Sequence, residues 1–145
     1  MKKVALRYII PTTCYAILFS IFALIAVLAF AMDPMDAEAL QDTGMIGLIV
    51  LFFAAAVKGI LLLIGLGGSV MMLFPLVFSA VNIAKKGRKL TVACLVYDIL
   101  LTFIYLPAFL ASLLHGGVFI FGAGLALVLT ALVTNAYSLK KGTEA

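Results

Sequence analysis

Charge is what this sequence has least of. Only 11% of its 145 residues are Asp, Glu, Lys or Arg, against roughly a quarter in soluble domains. A single water-soluble core of this size cannot hide the accompanying 66% of hydrophobic residues, so lipid has to be the solvent. A soluble enzyme, a disordered chain and a disulfide-stapled scaffold are excluded together. Cysteine is almost as scarce. Cys14 and Cys94 stand alone inside apolar runs, without the CxxC spacing of a redox or zinc site. They read as small buried hydrophobes, and no cofactor or metal is expected.

Catalytic signatures are missing too. The sequence has no HExxH, no P-loop and no carboxylate-rich motif of a phospholipid-handling enzyme. Tyr97-Asp98 matches the Tyr-Asp pair of intramembrane aspartyl proteases, but that chemistry needs a second aspartate, and no other acid lies at membrane depth. Gly68-Ser69 and the lone His115 are explained as a glycine-rich break and a turn residue. Nucleic-acid binding needs basic residues on a folded aqueous face, and the chain has none. It reads as a non-enzyme whose first partner is the lipid bilayer.

What the sequence does have is long apolar runs with cations at their ends. Lys2, Lys3 and Arg7 precede the first run, Lys85, Lys86, Arg88 and Lys89 form one cluster, and Lys140 and Lys141 close the last run. Four of the six acids, Asp33, Asp36, Glu38 and Asp42, share a single loop, without the spacing or glycine of an EF-hand. Short basic loops stay on the cytoplasmic side. Both termini are therefore expected in the cytoplasm, and the small size and short loops suggest a bacterial inner (plasma) membrane. The N-terminus imitates a signal peptide, with Ala29-Phe30-Ala31 in the cleavage pattern. Its apolar run from Tyr8 to Met32 is about 25 residues, beyond the usual 7–15, so it reads as a retained span.

The expected fold is an all-α integral membrane protein, one transmembrane domain over residues 1–145. TM1 covers 8–32 and an acidic external loop 33–43, where Asp33-Pro34-Met35-Asp36 has the pattern of a helix start. A long or broken TM2 segment covers 44–84 and a basic cytoplasmic loop 85–89. TM3 covers 90–114, His115-Gly116-Gly117 is a tight turn, and TM4 covers 118–139. The 44–84 segment is long enough for two crossings, which would make five in all. That would export Lys85–Lys89, so the charge rule favours four. The surplus stretch Met45–Ile64 then needs shelter as a long bent or tilted helix, an extra half-helix folded back at Gly65–Ser69, or an interface. Lys58 lies about 39 Å from Ala84 along a helix, which places it at the outer interface. Pro75 and Pro107 are expected to kink their helices.

TM3 carries the most chemistry. Thr91, Cys94, Asp98, Thr102, Tyr105 and Ser112 recur every three or four residues, and such a stripe must face protein or water. Asp98 lies about 13 Å along the helix from Lys89. Thr12 and Tyr15 on TM1, Ser79 and Asn82 on TM2, and Thr130, Thr134 and Asn135 on TM4 lie at a similar depth. Either they line a small water-accessible cavity in which Asp98 binds a proton or cation, or Asp98 ties the helices together by hydrogen bonds. Gly122, Ala126, Thr130 and Thr134 form a small-residue ladder, and Ala55 with Gly59 a shorter one, each a candidate helix-packing or oligomer face. Two functions follow. A small channel or transporter subunit, homo-oligomeric, expects a hydrated cavity at Asp98. An accessory or regulatory subunit docking on a larger membrane protein expects a dry bundle with an exposed small-residue face on Met45–Ile64 or TM4.

Overall fold

A computed structural model describes residues 2–32 and 44–143. Among these residues the chain forms four helices and no strand. They are α1 (Lys2–Ala31), α2 (Met45–Lys85), α3 (Arg88–His115) and α4 (Val118–Thr143). Each is long and apolar enough to cross a membrane. The chain is thus an all-α, four-helix, multi-pass membrane protein. Helices are what lipid demands, because every backbone N–H and C=O must be satisfied within the segment. The acidic loop, with its helix-start pattern and its four acids, lies outside the described residues.

Of the alternatives for the 44–84 segment, the structure takes the long helix. It neither folds back nor breaks at Gly65–Ser69: α2 is one continuous helix of 41 residues, about 61 Å long. It also runs on through Pro75, as α3 does through Pro107. Glycine breaks helices in water partly because exposed backbone gains solvent partners, and lipid offers none. In α2 the glycines serve close approach instead.

The described residues cluster into two compact units. One comprises Phe19–Met71, the second half of α1 with the first half of α2. Here the two helices run antiparallel. Gly68 lies against the Phe22 ring, Gly65 against the Ala26 backbone, and the Lys58 Nζ donates to the Met32 carbonyl at 2.7 Å. As α1 advances from residue 22 to 32, α2 retreats from 68 to 58. Lys58 thereby places a cation on an unsatisfied carbonyl at the C-terminal end of α1, where the helix dipole favours it. Met45–Val57 runs on past that point for about 20 Å.

The other unit comprises Met1–Leu18 and Met72–Ala145. Its core is Tyr15, Leu18, Met72, Cys94, Leu101, Val128 and Ala131, all buried. Two short turns join its antiparallel helices. Gly116 closes α3 in the left-handed conformation (φ 89°), its N–H donating to the Ser112 carbonyl at 2.9 Å, a glycine C-cap that any side chain would strain. Lys86 (φ 47°) and Gly87 join α2 to α3.

The glycines of α2 differ in a testable way. A Cβ on Gly65 would come within 2.5 Å of the Ala26 nitrogen and 2.7 Å of its Cα, whereas one on Gly67 meets nothing within 4 Å. Backbone cannot step aside as a side chain can. Gly65→Ala is expected to destabilise by about 1–3 kcal/mol, and Gly67→Ala to be neutral or to stabilise by up to about 1 kcal/mol. Unfolding in SDS, followed by circular dichroism, measures both.

Candidate functional site

Three of the predicted residues meet at the centre of the Met1–Leu18 and Met72–Ala145 unit. Asp98 on α3 is 0% exposed. The Tyr15 hydroxyl of α1 donates to its Oδ1 at 2.6 Å, and the Asn135 Nδ2 of α4 donates to its Oδ2 at 2.8 Å. The Asn135 amide also donates to the Tyr15 oxygen at 3.0 Å. Three helices are joined through one carboxyl group whose two oxygens each have a donor.

Two smaller bonds extend the polar layer. Thr12 and Ser79 share a hydroxyl–hydroxyl bond of 2.5 Å between α1 and α2. The Asn82 Nδ2 donates to the Thr91 Oγ1 at 2.8 Å between α2 and α3. Of the buried polar residues, Ser79, Asn82, Thr91, Asp98, Asn135 and Ser138 all lie toward the basic ends of their helices, and Ser112 lies toward the other end of α3. Ser138 was not among the candidates. It is one turn beyond Asn135 on the same face, so the three-residue spacing from Asn135 was its signal.

The remaining candidates do not join. The Thr102 hydroxyl turns back to the Asp98 carbonyl at 2.7 Å, and Thr134 turns back to the Thr130 carbonyl at 2.7 Å. Tyr105 lays its ring against Gly124. A cavity of about 290 Å³ is lined by Ile99, Thr102, Phe103, Leu106, Pro107 and Leu132, but its walls are apolar and Asp98 is not among them. The carboxyl group is buried, with one protein donor on each oxygen.

The small-residue ladders sit differently from a packing seam. On α4 the buried face is Gly124, Leu125, Val128, Ala131, Asn135 and Ser138, whereas Ala126 and Thr130 are exposed. Gly122 is half-buried, close to the Phe109 ring. Ala55 and Gly59 on α2 are exposed as well. Within the chain these ladders pack little. Comparison with protein-family models, with curated proteins and with solved structures found no match.

The chemistry such a cluster performs on its own is to fasten helices. A transmembrane hydrogen bond is worth about 0.6 kcal/mol on average and up to about 1.7, but a buried acceptor stripped of its donor costs about 1–3 kcal/mol. Tyr15→Phe and Asn135→Leu are each expected to destabilise by about 1–3 kcal/mol. The double variant should lose less than the two single losses combined, because both act on one carboxyl group. SDS unfolding of the four proteins tests this; strict additivity would mean the two donors act independently.

Proposed function

We propose that the chain is a non-catalytic accessory subunit that docks on a larger membrane protein through the N-terminal extension of α2. One observation carries this reading: an apolar stretch longer than one bilayer can cover. Fitting a helix of 61 Å into a hydrocarbon core of about 30 Å takes a tilt of about 60°, outside the usual range of 0–40°. Lys58, bonded to the Met32 carbonyl just past the C-terminal end of α1, marks where α1 leaves the membrane. Beyond it Met45, Ile46, Leu48, Ile49, Phe52 and Phe53 are all more than 60% exposed. Large apolar side chains left in water cost roughly 1.5–3 kcal/mol each. Together that is of order 10 kcal/mol, comparable with the whole stability of a typical domain. A protein surface is the cover that removes this cost.

The exposed Ala55 and Gly59 and the buried, fully bonded carboxyl cluster support the same reading. In it, the basic helix ends face the cytoplasm of a bacterial inner membrane, following the positive-inside rule. A second reading, transport of a proton or cation by a homo-oligomer, rests on Asp98 as an intramembrane carboxyl group, which is a costly residue in lipid.

Three experiments test these proposals. A photo-crosslinking residue at position 52 is expected to yield one adduct with a different protein in the native membrane, while position 100, on an exposed face of α3, yields lipid adducts alone. An adduct at twice the chain's own mass would favour self-association, and cation flux through the purified chain that Asp98→Asn abolishes would favour transport. For orientation, Gly87→Cys should react with an impermeant maleimide only after the cytoplasmic side is opened. The native Cys14 and Cys94, both buried, should stay unlabelled in the folded protein.

A further inference from the structure

The basic ends of the helices gather at one end of the Met1–Leu18 and Met72–Ala145 unit. Arg7 lies five residues before Thr12, and Lys85 six residues after Ser79, and those two hydroxyls are bonded. Both cations are thus about 8–9 Å beyond that bond along their antiparallel helices. Lys86 and Gly87 form the turn, and Arg88 and Lys89 open α3 immediately after it. Lys85, Lys86, Arg88 and Lys89 are exposed. Asp98, the one acid among the described residues, is buried and held by Tyr15 and Asn135. It neutralises none of them.

Arg7 adds a more specific signal. Its guanidinium lies 5.1 Å from the centre of the Tyr8 ring, and its Nε is buried with no hydrogen-bond partner. A buried guanidinium N–H without an acceptor is costly, and the group it matches best is a planar or tetrahedral oxyanion. The flanking residues Leu6, Ile9 and Ile10 are exposed and apolar. An acceptor arriving here comes alongside hydrocarbon, which distinguishes a lipid headgroup from a free ion. Tyr137 beneath Lys141 (5.3 Å) and Tyr8 beneath Arg7 are aromatic rings of the kind that sit at headgroup level.

We propose that this end of the protein binds an anionic phospholipid, its headgroup phosphate accepting from Arg7 and lying within the field of Lys85, Lys86, Arg88 and Lys89. The site is independent of the docking surface on α2.

Native mass spectrometry of the full chain, offered equal amounts of phosphatidylglycerol and phosphatidylcholine, tests the proposal. Retention of phosphatidylglycerol is expected to exceed that of phosphatidylcholine by at least fivefold, roughly the effect of one cation near a membrane surface. Arg7→Gln should lower the preference about fivefold. Arg7→Lys, which keeps the charge and loses the fork, should fall between. Changing Lys85, Lys86, Arg88 and Lys89 together to Gln should bring it near parity, with helix content unchanged as the control for folding. Equal retention of the two lipids by the native chain would overturn the proposal, as would an unchanged preference in Arg7→Gln. So would displacement of phosphatidylglycerol by millimolar inorganic phosphate, which would make the site one for the free ion.

Discussion

Lipid removes the force that ordinarily decides which faces of helices meet. In water an apolar stripe is driven inward. In a bilayer the tails are as apolar as leucine, and burying a leucine against another helix gains little beyond packing. With 66% hydrophobic residues, nearly every face of these four helices is an acceptable neighbour for every other. What remains to select one arrangement is close approach at glycine and satisfaction of the few groups that hydrocarbon cannot tolerate. Both devices are present. Gly65 and Gly68 admit α1 in one unit, and the Tyr15–Asp98–Asn135 contact joins three helices in the other.

The polar candidates divide by a simple rule, visible only once the hydrogen bonds are known. Thr12, Thr13, Ser69, Thr91, Thr102, Ser112, Thr130 and Thr134 all donate to carbonyls three or four residues back in their own helices. A hydroxyl on a helix can satisfy itself in this way, so its presence at membrane depth says little about what lies opposite. A tyrosine hydroxyl lies too far from its own backbone, and a carboxylate has no proton to give. An asparagine amide has more donors and acceptors than one local carbonyl can satisfy. Each must find a partner elsewhere. Tyr15, Asn82, Asp98 and Asn135 each did. The convergence of polar residues at one depth was therefore legible in the sequence, but its membership was overstated by the threonines.

The fold was legible where charge punctuates it. The ends of α3 and α4 follow from Arg88, His115-Gly116-Gly117 and Lys140-Lys141, because cations and glycine turns fix where apolar runs stop. The interior of α2 was not. Gly65–Ser69 has the composition of a breaker in water, and composition alone does not say that α1 approaches closely enough to make glycine the residue required there. Nor does a small-residue spacing say which helix it serves. The ladder from Gly122 through Thr130 has the right period, yet α4 buries the neighbouring face through Val128, Ala131 and Asn135.

Stability alone is a poor reason for Asp98. An aspartate at mid-helix costs about 2.5–3.5 kcal/mol to place in a membrane, and hydrogen bonds at about 0.6 kcal/mol each offset only part of that. A leucine would be cheaper in every position a bundle offers. The carboxyl group does, however, distinguish one packing from the rest, because only the arrangement that brings Tyr15 and Asn135 to it satisfies all three groups, and any rotation or slip of α1, α3 or α4 leaves a polar group in hydrocarbon. A buried polar contact that weakens the fold slightly while excluding its competitors acts on register. In a chain whose apolar faces are nearly interchangeable, register is what the remaining residues cannot supply.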